Sequence, residues 1–164
     1  MNQPKFIVKD SKDGQFYFFE IAPNSEPIGT GETYPQKQTC FAGIASVQLN
    51  APNAIIVDTT LKTYSKHAKP EYTQTPRFEI RDCYVPNTRP GLTVKNGKYL
   101  GDPADRKVRR YYYVLLAGNG EIIQRGQMHP EKAKAYGEIY SVKKNAPISI
   151  IVDSTATEYT KYAH

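Results

Sequence analysis

Asn50-Ala51-Pro52-Asn53-Ala54-Ile55-Ile56-Val57-Asp58 returns in the second half of the chain as Asn145-Ala146-Pro147-Ile148-Ser149-Ile150-Ile151-Val152-Asp153. Working outward from this pair, residues 15–68 overlay residues 110–163 without a gap, and roughly 22 of about 54 positions are identical. The chain therefore contains one structural unit twice. Each copy alone is of a size at which core burial is marginal. In a chain of 164 residues the copies are expected to be halves of one shared core, not beads on a linker.

The pattern inside each copy gives the unit. Lys5-Phe6-Ile7-Val8-Lys9 reads as a strand, and Asp13-Gly14 favours the positive φ of a tight hairpin turn. The aromatic run 15–22 is the returning strand, Pro23-Asn24-Ser25-Glu26 a second turn, and 28–33 a third strand. At Tyr34-Pro35 the period changes: Cys40, Ile44 and Val47 follow at helical spacing on one apolar stripe. Asn50, which tolerates a left-handed terminus, and Pro52 are expected to end that helix before the strand Ile55-Ile56-Val57.

The second copy follows the same plan. Pro76–Asp82 matches Pro4–Asp10, Tyr111–Leu116 is the aromatic strand, and Gly118-Asn119-Gly120 the turn. Ile122–Met128 is the third strand, Ala135, Ile139 and Val142 form the helix stripe from His129-Pro130-Glu131 onward, and Ile150-Ile151-Val152 is the last strand. Thr59–Pro70 reads as the connector.

The Phe-centred strand, Asp-Gly turn, aromatic strand, Asn-x-Glu turn and helix ending in Ser46-Val47-x-x-Asn50-Ala51-Pro52 resemble the YegP-like family. Ser141-Val142-Lys143-Lys144-Asn145-Ala146-Pro147 matches the family's helix end more closely still. The resemblance implies an α+β fold of two tandem β-β-β-α-β repeats. They form one pseudo-two-fold antiparallel sheet with two helices, and the C-terminal strands are swapped between repeats. Residues 1–164 are then a single pseudo-dimeric domain, with repeat 1 at 4–68 and repeat 2 at 76–163. A monomer is expected, because each repeat supplies the other's partner. The family brings no accepted activity, cofactor or catalytic residue.

Composition narrows the classes further. No stretch is long and apolar enough to cross a bilayer, and Met1-Asn2-Gln3-Pro4-Lys5 lacks the apolar centre of an export signal. Cys40 and Cys83 are too few and too isolated for a disulfide framework or a CxxC metal site. A cytoplasmic protein without membrane contact, metal or cofactor is the expectation.

The net charge of +6 is unevenly placed. Residues 83–110, an insertion in the first hairpin of repeat 2, hold Arg89, Lys95, Lys98, Arg106, Lys107, Arg109 and Arg110 against Asp102 and Asp105 only. Most of the net charge therefore sits there. In repeat 1 the same connection is the short turn Ser11–Gly14. Long loops in compact domains are commonly functional or disordered. Leu92–Leu100 reads as a small hairpin around Asn96-Gly97, and the basic run 106–110 leads directly into Tyr111-Tyr112-Tyr113.

Basic groups beside aromatic rings suit an acidic protein surface or a nucleic-acid backbone with stacked bases. A solvated extension, with its tyrosines in the core, is the bland alternative. Tyr112 matches Tyr17 and is expected to be structural; Tyr111 and Tyr113 lie on the opposite face, where exposure would let them touch a ligand. The candidate binding residues are Arg89, Lys95, Lys98, Arg106, Lys107, Arg109, Arg110, Tyr111 and Tyr113. The expected role is a non-catalytic interaction module presenting this hairpin to a protein or other anionic partner, with sequence-nonspecific nucleic-acid binding as the alternative.

Catalytic signals are weak. Asp58 and Asp153 occupy matching places and could pair for cation binding or acid–base work. Asp followed by Thr more often makes a turn or cap. His67, His129 and His164 lack metal-ligand spacing, with His129 read as a cap-region residue, and Cys40 sits on the helix stripe as a packing residue. No Ser–His–Asp arrangement, phosphate-binding glycine loop or nucleotide fingerprint occurs.

Overall fold

The computed structural model describes residues 3–61, 74–86 and 107–156, together with the backbone of 94–95 and 98–99. Strands Lys5–Asp10 (β1) and Phe16–Ile21 (β2) pair antiparallel around Gly14, which takes φ +77° and so relieves the turn of a strained side chain. Asn24 shapes the next turn by accepting the Glu26 N–H at 3.1 Å, and Asn119 repeats this for Glu121 at 3.0 Å. Pro27–Thr30 (β3), helix Lys37–Asn50 (α1) and Ile55–Asp58 (β4) complete repeat 1. Repeat 2 contributes Arg77–Pro86 (β5), Val94–Lys95 (β6), Lys98–Tyr99 (β7), Lys107–Leu116 (β8), Ile122–Arg125 (β9), Lys132–Asn145 (α2) and Ile150–Asp153 (β10).

The expected stripes hold the helices to the sheet. Cys40, Ile44 and Val47, and their equivalents Ala135, Ile139 and Val142, are all fully buried. The helix ends differ from the sequence expectation. Asn50 keeps a right-handed conformation (φ −91°, ψ −34°), and its side-chain amide donates back to the Ser46 carbonyl at 2.9 Å. A 3-10 turn, Ala51–Asn53, follows at once. It accommodates Pro52 because the first N–H groups of a new turn need no intrahelical partner.

Eight strands form one sheet in the order β10-β1-β2-β3-β9-β8-β5-β4. The repeats meet at its centre, where β3 pairs with β9 through Thr30 and Arg125. The exchange of last strands is present: β4 of repeat 1 lies on β5 of repeat 2, and β10 of repeat 2 lies on β1 of repeat 1. The sheet is mixed, since both exchanged strands pair parallel while the six inner strands pair antiparallel. Parallel neighbours require a crossover in place of a tight turn. The chain from Thr59 to Pro76, between β4 and β5, is long enough to make one.

The core lies between the two helices and the sheet. Phe6 meets Phe18 edge-on at 5.7 Å, and the equivalent Phe78 meets Tyr113 at 5.6 Å. Fully burying such a side chain contributes about 1.5–3 kcal/mol. Each central ring also crosses its neighbouring strand at a glycine. A Cβ at Gly31 would stand 2.2 Å from the Phe18 ring, and one at Gly126 would stand 2.3 Å from the Tyr113 ring. No helix among the described residues is long and apolar enough to cross a membrane.

Candidate functional site

The insertion begins as a ribbon. β4 follows β5 only as far as Ile80, and β9 follows β8 only from Leu116 back to Val114, yet β5 and β8 stay paired out to Pro86 and Lys107. The segment after β9 still meets β8 where Tyr111 and His129 exchange both backbone hydrogen bonds at 2.8 Å; beyond Tyr111 the pair is two strands wide among the described residues. Register and alternation put Asp82, Tyr84, Lys107, Arg109 and Tyr111 on one face of it. Arg109 bonds Asp82 at 2.6 Å and lies 5.0 Å from the centre of the Tyr111 ring. Lys132 of α2 approaches the same ring at 5.7 Å, and Tyr84 beside Arg109 is 62% exposed. The small hairpin expected around Asn96-Gly97 is present as β6 paired with β7.

Of the candidate residues, Lys107, Arg109 and Tyr111 therefore share a face. Arg110 lies on the other face and donates to the Arg109 carbonyl at 3.1 Å. Arg89 and Arg106, and the side chains of Lys95 and Lys98, lie outside the described residues, as do His67 and His164. Tyr113 is a correction. It is fully buried, and its hydroxyl donates to the Ile28 carbonyl at 2.5 Å, so it cannot touch a partner. The face it shares with Tyr111 is the helix-covered one, and Tyr112 belongs to the opposite face.

Asp58 and Asp153 do not form one site, because they end the two outermost strands at opposite edges of the sheet. Each accepts from the N–H and hydroxyl of the threonine two positions on. Each also pairs with a lysine on a helix of the other repeat: Asp58 with Lys132 at 2.9 Å, and Asp153 with Lys37 at 3.1 Å. Burial alone would raise both carboxyls, but the threonine and lysine contacts hold them below the ordinary value. Reciprocal ion pairs thus clamp the exchanged strands.

The copies differ most in polar character at the centre. Glu20, Gln124 and Tyr113 are fully buried, and the Gln124 amide donates to Glu20 and to the Tyr113 hydroxyl, each at 3.1 Å. Burial pushes the Glu20 carboxyl up to about 8, offset in part by the Gln124 contact. Its Oε2 is buried without a partner. The overlay places Leu115, Phe18 and Gly29 opposite Glu20, Tyr113 and Gln124, so this cluster has no counterpart in the other half.

A second asymmetry opens to solvent. Between the Ala22–Ile28 turn of repeat 1 and α2 of repeat 2 lies a cleft of about 630 Å³ holding Glu26, His129, Lys134 and Glu138. His129 Nε2 stands 3.0 Å from Glu138 Oε1, in ion-pair range but not directed as a hydrogen bond. The Gln127 N–H donates to the same oxygen at 3.2 Å. Burial raises the Glu138 carboxyl; His129 and the Gln127 N–H lower it, and Glu26 raises it again. The matching surface of the other half is a more open depression of about 540 Å³ beside Tyr34. There Tyr34 and Gly43 replace His129 and Glu138, and the Tyr34 hydroxyl would stand 2.3 Å from a Cβ at Gly43. By sequence His129, just before Pro130, reads as a cap-region residue. The signal available was the overlay itself, which sets His129 against Tyr34 and Glu138 against Gly43.

Two tandem β-β-β-α-β units, sharing a sheet and exchanging last strands, define a class of pseudo-dimeric α+β proteins. The chain belongs to the family described as "Domain of unknown function (DUF1508)", whose model matches residues 11–58 and again 107–153. It is similar to the UPF0339 protein PA0329 of Pseudomonas aeruginosa, at 26% identity covering 92% of this chain and 97% of that one. It is also similar to the UPF0339 protein YegP of Escherichia coli, at 29% identity covering 92% and 96%. A UPF0339 protein of Treponema denticola aligns over 54 residues at 43% identity, 33% of this chain and 93% of that one. The solution NMR structure of yegP from E. coli, a protein of unknown function, superposes with a TM-score of 0.55 at 25% identity, covering 94% of this chain and 95% of that one.

Proposed function

We propose that the protein is a non-catalytic binding module that presents the β5–β8 ribbon to an acidic surface of a partner protein. The observation that carries this reading is the row Lys107, Arg109 and Tyr84, continued by Tyr111, on one face of a ribbon that beyond Tyr111 has no further strand neighbour among the described residues. Positive charge placed on a projecting element steers association with an anionic partner. Arg109 is already held in place by Asp82 and Tyr111, so less side-chain freedom is lost on contact. A monomeric state belongs to the same proposal, supported by the way each half completes the other's sheet. So does a cytoplasmic location, supported by the free thiols of Cys40 and Cys83.

Exposed Tyr84 beside Arg109 favours one second reading, in which the face stacks a base and contacts phosphates of single-stranded nucleic acid. Fluorescence anisotropy with a labelled polyglutamate peptide and a labelled oligothymidylate, each across a salt series, tests both. The first reading expects peptide binding that weakens steeply with salt and is lost on Lys107→Glu with Arg109→Glu. Binding of the oligonucleotide alone selects the second. Binding of neither at low salt overturns the function proposed for the ribbon.

A further inference from the structure

The backbone at the seam between the repeats does not distinguish one repeat from the other. Its register sets Thr30 of β3 against Arg125 of β9, and the overlay makes these equivalent positions. Two copies of the same repeat would meet through the same pairing, so side chains alone must tell repeat 1 from repeat 2. They differ both in the core and at the surface. In the core, Glu20 of repeat 1 accepts an N–H from Gln124 of repeat 2 at 3.1 Å, and the Ile28 carbonyl of repeat 1 accepts the Tyr113 hydroxyl of repeat 2 at 2.5 Å. At the surface, Glu32 of repeat 1 pairs with Arg125 of repeat 2 at 3.0 Å.

We propose that these residues form a pairing code, by which repeat 1 accepts repeat 2 and each repeat rejects its own copy in another chain. Exchanging equivalent residues shows why. In a seam of two first repeats, Phe18 would stand in place of Tyr113 and Gly29 in place of Gln124. The fully buried Glu20 would lose the Gln124 donor, and the Ile28 carbonyl would lose the Tyr113 hydroxyl. Both losses occur twice, once in each chain, and a buried polar group stripped of its partner is strongly destabilising. In a seam of two second repeats, Gln124 would stand in place of Gly29. Even a Cβ at Gly29 would lie 2.3 Å from the Gln124 amide nitrogen and 2.5 Å from the Tyr113 hydroxyl, so two amides would claim one space. The same seam would set Arg125 against its own copy, and like charges in facing positions repel. Penalties on the wrong partner are a general source of specificity. The cluster is also not the most stable filling of its space. Glu20 Oε2 and Gln124 Oε1 stay buried without a partner even in the mixed seam, whereas the equivalent Leu115 and Gly29 have no polar side chain to satisfy.

The test uses the full chain carrying Thr30→Cys and Cys83→Ser, because position 30 faces its own copy only in a seam of two first repeats. The remaining thiol, Cys40, is fully buried. Chains are unfolded, refolded in reductant at high concentration and then oxidised. Chains refolded dilute, concentrated and then oxidised give the background of chance contacts. Non-reducing electrophoresis reads the disulfide-linked dimer, and the natural seam should stay at background. Giving the core cluster the residues of its equivalents, with Glu20→Leu, Tyr113→Phe and Gln124→Gly together, should raise the linked fraction about tenfold or more. Arg125→Thr, at an exposed position where folding is not at stake, should raise it by a smaller factor. The proposal is overturned if the natural seam links above background, or if the core variant folds by circular dichroism and stays at background. Should the core variant not fold, Arg125→Thr remaining at background overturns it instead.

Discussion

Lys132 lies 2.9 Å from Asp58 and ties the helix of the second repeat to the last strand of the first. The Asp58 side chain is 9% exposed, against 22% for Asp153 in the equivalent pair with Lys37. Removing one partner of a well-buried pair costs more than removing one from an exposed pair, because a charge is left without compensation. Asp58→Asn should destabilise the fold by about 1–3 kcal/mol, and Asp153→Asn by about 1 kcal/mol or less. Urea denaturation of both variants measures the difference, and equal losses would show that burial does not rank these clamps. The folded carboxyls titrate below their ordinary value, so their stabilisation is present at neutral pH and fades only as pH falls into the acid range.

Glu20 gives the opposite slope. Its folded carboxyl titrates at about 8, whereas an unfolded glutamate loses its proton near 4.5. Between those values the folded chain holds the extra proton, so stability falls as pH rises through that window. The span corresponds to a contribution on the order of 5 kcal/mol. Glu20→Gln should flatten this slope and leave the variant more stable than the natural chain at pH 8. Denaturation midpoints at pH 5 and pH 8 decide it, and an unchanged slope in the variant would place the titrating group elsewhere.

Glycine contacts yield a contrasting pair. Gly126→Ala drives a methyl into the Tyr113 ring and should cost about 1–3 kcal/mol through overpacking. Gly137→Ala, on α2 with open space before it, should stabilise by up to about 1 kcal/mol through helix propensity. Thermal unfolding should therefore move in opposite directions for the two substitutions.

Replacing Cys83–Arg110 with a four-residue turn like Ser11–Gly14 should leave the eight-stranded sheet intact. β4 and β9 contact β5 and β8 only inside Arg77–Ile80 and Val114–Leu116. Circular dichroism should be nearly unchanged while binding to the anionic probe disappears. Loss of the folded state would make the ribbon part of the core.

The repeat, both helix stripes and the Asx turns were legible because each is a local pattern written twice. Which face of the Tyr111-Tyr112-Tyr113 strand is buried was not. Alternation separates two faces without naming them, and here Val114 and Leu116 are buried as well as Tyr113 and Leu115. The parallel direction of β4 and β10 was likewise unmarked, since Ile-Ile-Val suits either pairing. The His129–Glu138 cleft was half legible. The overlay exposes the change from Tyr34 and Gly43, but Glu26 joins the site only because the repeats face each other across β3 and β9.

The arrangement β10-β1 pairs the first strand of repeat 1 with the last strand of repeat 2, which is made much later. While the ribosome is still making the chain, the outer edge of β1 has no neighbour until Ile150–Asp153 emerges. An open edge invites pairing with other chains. The sheet edge of the first half is therefore closed by the second half, and only after nearly all of both repeats has been made.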